Sequence, residues 1–433
     1  MAAKHHVLKR VGIPVPDLAV FDESGIAAHW GGHCGYTNGE LPLGTPPEKD
    51  IGYPYLTDEA EVRADNRRIN TEMLRYSWAA FNVAEDERNF AEWIDRGRPR
   101  PPHKIWALYL QWVARQVDLE VEKDRLAGVS IDGDRWSLDF ESGRVISTDG
   151  IVITSPGPAK RDIDIKGPAK AVFNGKTFWG DDCEARLSEI GERPKAKACV
   201  IGSGETAAAI VLYLAERLPN IQIDIVSREG IIYTRGESFE ENRLYSDPGS
   251  WGRFKKDVRK MFVKRTDRGV FSVATKELLD AREDVVTLSG EVTKIDATKD
   301  NGIFIVVRGR DDPCGPYEIV ADATGFRRRW FIDMLDEDSF HKLTVAMTLS
   351  PEAIPTDEQL EEAIDYDLSV SGLHPKMHLP MYAGLEQGPG FPSLGCLGFL
   401  SDRILRPYWM PTTGMDNAAA SSRISIRASS QSS

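Results

Sequence analysis

Gly202, Gly204 and Ala207 stand at the spacing G-x-G-x-x-A, directly after the apolar run Cys199-Val200-Ile201 and directly before an apolar helical pattern that reaches Leu218. That arrangement suits a pyrophosphate. The first glycine makes a tight turn, and the second lets backbone amides approach the phosphates. The small third residue lets the helix pack on its sheet with the positive N-terminal end toward the charge. Gly202, Ser203, Gly204, Glu205 and Thr206 are therefore the candidate pyrophosphate contacts. A second strand, residues 221–226, follows at the right distance and ends in Ser227-Arg228. A carboxylate at that strand end would receive a ribose 2′-hydroxyl. A guanidinium there suits a 2′-phosphate, so Arg228 favours NADPH over NADH.

A second unit of the same kind is legible near the start of the chain. Residues 17–22, Asp-Leu-Ala-Val-Phe-Asp, read as a short buried strand with an acidic end at Asp22 and Glu23. One of those carboxylates is placed to hold an adenosine ribose. Residues 2–11 read as the helix before it. The first strand and glycine loop of such a unit are not in the sequence. The expectation is a chain that begins inside the first helix of a dinucleotide fold, through truncation or a misplaced start, and that holds its nucleotide poorly. A central strand buried on both faces contributes several hydrogen bonds at roughly 1 kcal/mol each, besides its core burial.

The 433 residues allow two or three domains. A net charge of −13 argues against nucleic acid or an anionic membrane as partner. No apolar run is long enough to span a bilayer, and residues 1–10 have no signal-peptide core. The five cysteines are scattered and form no C-x-x-C, which points to the reduced cytoplasm. His29, His33 and Cys34 invite a metal reading, but no fourth ligand has suitable spacing, and no metal is expected.

Residues 31–57 read as an extended Gly, Pro and Thr-rich loop region, and helices are expected over 67–81, 89–95 and 104–116. A strand is expected over 149–155. Residues 236–280 read as polar and helical with a break at 246–249. Further strands fall near 285–289, 303–307 and 318–323, the last ending in Thr324-Gly325-Phe326. The apolar run 394–405 packs inside, and residues 412–433 read as a disordered tail.

Two dinucleotide units with an Ala-Thr-Gly-Phe strand end suggest a flavoprotein that binds two nucleotides. From residue 1 to about 405 the chain resembles the bacterial lysine N-monooxygenases of mycobactin and nocobactin siderophore assembly, and more distantly the ornithine N-monooxygenases. The segments that carry the resemblance are residues 44–55, 90–99, 201–208, 234–248, 265–272, 387–392 and 400–403. It implies an α/β fold of two Rossmann-like domains, for FAD and NADPH, the first lacking its initial strand, with a helical substrate-binding portion. The division implied is an FAD-binding domain over 1–170 and 317–411 and an NADPH-binding domain over 171–316, with residues 236–280 touching substrate. The implied reaction is hydroxylation of L-lysine to N-hydroxylysine with NADPH and O2 through a C4a-hydroperoxyflavin. A homo-oligomer is also implied.

Carried over residue by residue, the resemblance puts Lys49 at the substrate carboxylate, Asn242 at the amino-acid end, and Ser401 beside the substrate amine and the flavin. Trp30 would cover the flavin ring, and Thr324-Gly325 would lie against cofactor. Where the ornithine enzymes place an asparagine near the amine, this chain has Val270. The attacking amine must be neutral. With a side-chain pKa of about 10.4 that costs roughly 4 kcal/mol near pH 7.4, so a lining of neutral groups is expected. Two other readings fit parts of the sequence: a Baeyer–Villiger or sulfur-oxidising flavin monooxygenase, and a flavin-free NADPH-binding relic.

Overall fold

In the computed structural model, residues 197–201 form the centre of a five-stranded sheet. The model describes all residues except 33–35, 60–61, 85–89, 155, 192, 194, 299–301, 410–425 and 428–433. The sheet order is Val285–Ser289, Gln222–Ser227, Lys197–Ile201, Ile319–Asp322, Val172–Asn174, with every pair parallel. A parallel sheet is covered on both faces, which explains why its strands read as unbroken apolar runs. One face packs on helix Glu205–Arg217 through Ala208, Val211 and Leu214. On the other face Cys199, Ile201 and Val320 pack against Val292, Ile295 and Ile305 of a second, four-stranded sheet.

The domain limits expected from the sequence separate strands that pair in the structure. Ile319–Asp322 pairs with Lys197–Ile201, and Asp164–Lys166 pairs with Val292–Thr298, so the limits at 170/171 and 316/317 both cut through hydrogen-bonded sheets. A central parallel strand needs a neighbour on each edge, and Ile319–Asp322 supplies one by returning late in the chain.

Gly202 turns the chain from the central strand into the helix with φ +132, and a Cβ there would lie 2.4 Å from the Ala323 carbonyl oxygen. Both the left-handed backbone and the clash exclude a side chain. Gly202→Ala should destabilise the protein by about 2–3 kcal/mol. Urea unfolding would measure it, and a loss below about 0.5 kcal/mol would show that the turn relaxes freely.

In the first unit, Val20–Phe21 runs parallel to Val121–Glu122, and Gly150–Val152 runs parallel to Lys376–His378. The strand expected over 17–22 is thus only two residues long, because its partner is only two residues long. Val20, Phe21, Ile151 and Val152 all line one cavity of about 990 Å³. An antiparallel sheet of Leu126–Asp132, Arg135–Phe140 and Val145–Thr148, absent from the sequence reading, stands beside it. The tail assignment over 412–433 lies outside the described residues except for Ile426–Arg427, a short strand on Val145–Thr148.

Helices Ala2–Val11, Trp78–Ala84 and His103–Gln116 enclose an aromatic core of Trp78, Phe81, Trp106, Tyr109 and Trp112. The helix expected over 67–81 is broken at Ser77, which is extended between the turn Leu74–Tyr76 and helix Trp78–Ala84. The second helix starts where the Trp78 amide donates to the Asp50 carboxylate at 2.8 Å. Lys4 on the first helix is buried, 2.7 Å from Asp402 on helix Leu397–Leu405, and also donates to Thr57 at 2.7 Å. No described helix is long and apolar enough to cross a membrane.

Candidate active site

Lys49 follows a turn closed by its own amide on the Pro46 carbonyl at 3.0 Å. The next residue, Asp50, is buried and accepts from Trp78 N (2.8 Å), Gly52 N (3.1 Å) and the Tyr55 hydroxyl (2.6 Å). Burial pushes the Asp50 carboxyl up to about 6, opposed by these hydrogen bonds. With Asp50 clamped in the core, Lys49 is left at the edge of a small cavity of about 50 Å³. Its Nζ donates to Asn242 Oδ1 at 2.8 Å. Burial, then the Arg235 charge, lowers its ammonium to about 8.

Asn242 reaches that cavity from helix Phe239–Ser246. A capping box fixes the start of this helix: Ser238 Oγ accepts from Glu241 N, and Ser238 N donates to the Glu241 carboxylate. Asn242 Nδ2 donates to the Glu237 carbonyl at 2.8 Å, which orients Oδ1 toward Lys49. Arg100 bridges the two walls, donating to the Gly44 carbonyl at 3.3 Å and the Glu237 carboxylate at 3.1 Å. Arg235 lies 5.1 Å over the Tyr245 ring, whose hydroxyl donates to the Thr266 carbonyl at 3.1 Å. Two buried atoms in this wall, Glu237 Oε1 and Thr45 Oγ1, have no hydrogen-bond partner among the described residues.

Ser401 is not part of this constellation. It is 1 % exposed, its hydroxyl donates to the Leu397 carbonyl at 2.9 Å inside its own helix, and it lines neither cavity. Helix geometry is the reason. The start of this helix docks on the loop that follows Lys49, with Gly398 N on the Tyr53 carbonyl at 2.8 Å, and Ser401 falls on the packed side next to Asp402. Val270 is buried in the short strand Val270–Phe271.

The large cavity carries Asp22 and Glu23 at one end and His29 and Tyr36 in its wall. The Asp22 carboxylate accepts from Ser24 N and Gly25 N at 2.8 Å each, and Glu23 lies 3.4 Å from Arg125. Among the described residues His29 Nδ1 is buried without a partner, and its ring lies 5.0 Å from Tyr36. Trp30, expected over the flavin, instead packs 4.8 Å from His103 in the aromatic core and does not line the cavity. Neighbours in a helical turn point about 100° apart, so only one of the two can face the opening. A cavity of this volume with aromatic walls and an orphaned ring nitrogen fits a flavin nucleotide. Among the described residues no three His, Cys, Asp or Glu side chains are placed to hold a metal ion; His33 and Cys34 lie outside them.

The dinucleotide loop also fits its group. A Cβ on Gly204 would meet nothing closer than the Gly269 Cα at 3.9 Å, so the backbone at the helix start can be approached closely. Ser203 faces Gly269, and Thr206 faces Gly175. Glu205 opens the helix. Desolvation in the cleft raises its carboxyl, with Arg235 opposing. Arg228 is exposed at the end of Gln222–Ser227. Thr324 donates to the Asp322 carboxylate, and Gly325, with φ +107, accepts from Lys160 N at 3.0 Å beside this loop.

Arg100, Arg235, Glu237 and Tyr245 escaped the sequence reading, and His29 entered it only as a candidate metal ligand. The signal for Glu237 was present: it directly precedes the Ser238–Glu241 capping pair and so must stand just outside a helix start. Arg100 had no local signal.

No protein-family model matches the chain. It is 36% identical over 416 residues to the L-lysine N6-monooxygenase MbtG of Mycolicibacterium paratuberculosis, covering 95% of this chain and 93% of that one. It is 35% identical over 439 residues to the protein of the same name from Mycobacterium tuberculosis, covering 99% and 96%. Among solved structures, the lysine monooxygenase NbtG from Nocardia farcinica matches with a TM-score of 0.76 at 36% identity, over 94% of this chain and 95% of that one. An ornithine N-hydroxylase from Kutzneria sp. 744, in complex with reduced FAD, NADP+ and L-ornithine, shares the fold at a TM-score of 0.69 and 14% identity, over 94% and 95%.

Proposed function

The chain belongs to the L-lysine N6-monooxygenase family, and on that premise we propose that it hydroxylates the side-chain amine of L-lysine for a hydroxamate siderophore of the mycobactin or nocobactin kind. It is a flavin-dependent monooxygenase with FAD and NADPH as cofactors. Bound FAD, once reduced by NADPH, supplies the activation of O2. The chain's own residues do the positioning. Lys49 holds the amino-acid carboxylate as a fixed cation at the end away from the reacting nitrogen. Asn242 orients the same head group. Asp22 or Glu23 hold the FAD ribose, and residues 202–206 take the NADPH pyrophosphate, with Thr324 and Gly325 alongside.

The observation that carries this reading is the Lys49–Asn242 contact, 2.8 Å across 193 residues of sequence, in the wall of a cavity. The test uses the FAD-loaded protein with NADPH and O2 and a panel of L-lysine, L-ornithine, a ketone and a thioether. The expected product is N-hydroxylysine, detected by a mass gain of one oxygen and by hydroxylamine colorimetry. Oxygenation of the ketone or thioether without amine hydroxylation would overturn it.

Arg228 is the proposed 2′-phosphate contact. Arg228→Ala should raise KM for NADPH about 10–100-fold, the loss expected for a charged hydrogen bond, and leave KM for NADH unchanged. Equal effects on both nucleotides would assign the phosphate to another residue.

A further inference from the structure

The polar atoms around the small cavity are sorted by sign. Lys49 Nζ and the guanidinium of Arg235 are donors. Asn242 Oδ1 is an acceptor, held so by its own amide on the Glu237 carbonyl. Glu237 is the carboxylate in this wall. Arg100 occupies one of its oxygens at 3.1 Å, and the other is buried without a donor among the described residues. A buried carboxylate oxygen left unpaired is costly, and it selects for a ligand that brings a donor. Thr45 Oγ1, also buried and unpartnered, adds a hydroxyl to the same wall.

At roughly 10–15 Å³ for each water-sized position, this cavity holds a few heavy atoms. That is the size of an α-amino-acid head group and not of a whole lysine. We propose that Glu237 is the acceptor for the substrate's α-ammonium group, so that the cavity recognises a free zwitterionic α-amino acid through both of its charges. The α-carboxylate lies toward Lys49 and Thr45, and the α-ammonium lies between Asn242 Oδ1 and the Glu237 carboxylate. This rests on the reading of the cavity as the head-group site.

Recognition of both charges has a consequence for substrate class. An amine without the α-carboxylate loses the contact to Lys49. An α-N-acylated lysine brings no positive charge to Glu237, and a lysine held as a carrier thioester brings no negative charge to Lys49. The substrate is therefore the free amino acid, which is hydroxylated before any acylation or thioester formation.

Calorimetric titration of the FAD-loaded protein tests this with L-lysine, 6-aminohexanoate and Nα-acetyl-L-lysine. The wild type should bind L-lysine about 10–100-fold more tightly than 6-aminohexanoate, which lacks only the α-amine. Glu237→Gln keeps the size of the side chain and removes its charge. It should shrink that preference to about 3-fold or less, at nearly unchanged affinity for 6-aminohexanoate. Equal wild-type affinity for the two ligands would overturn the proposal without any variant. So would a Glu237→Gln protein that loses both ligands alike, which is the signature of a purely structural partner for Arg100. A wild type that neither binds nor hydroxylates L-lysine, while oxygenating another amine, would instead overturn the function on which the proposal stands.

Discussion

Replacing Lys49 by methionine should raise KM for L-lysine by roughly 30- to 5,000-fold, with little change in KM for NADPH. The range corresponds to the about 2–5 kcal/mol lost when one partner of a buried charged hydrogen bond is truncated. Lys49 is half-buried and contacts Asn242 at 2.8 Å, so a carboxylate bound there would meet a desolvated cation. The pH profile gives a second readout. Burial lowers the Lys49 ammonium to about 8, so its charge is complete below that pH and falls tenfold per unit above it. The neutral fraction of the substrate's side-chain amine rises tenfold per unit until about 10.4. The two slopes cancel above pH 8. Wild-type kcat/KM for lysine should therefore climb and level off near pH 8, whereas the Lys49→Met profile should keep climbing until the substrate's α-ammonium itself loses its proton. An unchanged KM, or a variant profile that levels at the same pH, would remove Lys49 from the site.

Asp402→Leu should destabilise the protein by about 3–5 kcal/mol, a large part of the 5–15 kcal/mol of a typical folded chain. Lys4 and Asp402 are 2% and 1% exposed, and their 2.7 Å contact joins the first helix to the helix that docks on the Lys49 loop. Removing the carboxylate leaves a buried ammonium whose remaining partner among the described residues is the Thr57 hydroxyl at 2.7 Å. The double variant Lys4→Met/Asp402→Leu should recover most of the loss, because apolar replacement of both partners removes the uncompensated charge. Urea unfolding followed by tryptophan fluorescence reports this region directly, since Trp78, Trp106 and Trp112 lie in the same core. A double variant no more stable than the single one would show that the pair matters through packing rather than charge.

Much of the scaffold was legible because its causes are local. Helix Ala2–Val11 appears at the expected bounds, helix His103–Gln116 starts one residue earlier, and Gln222–Ser227 lies one residue beyond the strand read at 221–226. The sheet at 126–148 and the strand Val292–Thr298 were missed although both carry alternation. The turn at Gly133, with φ +59, was a readable hairpin signal. The break at Ser77 was not readable, since it depends on Asp50 accepting from Trp78 N 28 residues away.

By itself the sequence determined the strand, turn and helix around Gly202 and Gly204, because glycine spacing, strand hydrophobicity and helix start act within about ten neighbouring residues. It also determined the family, through segments spread along nearly the whole chain. Only the tertiary structure decided how the cavity beside Lys49 and Asn242 is built. Residues 44–49, 100 and 235–245 meet there from distant parts of the chain, and a charge balance assembled across such distances leaves no local pattern. The same holds for the choice of His29 over Trp30 at the large cavity and for the inward turn of Ser401, both settled by which side of a helix the core occupies.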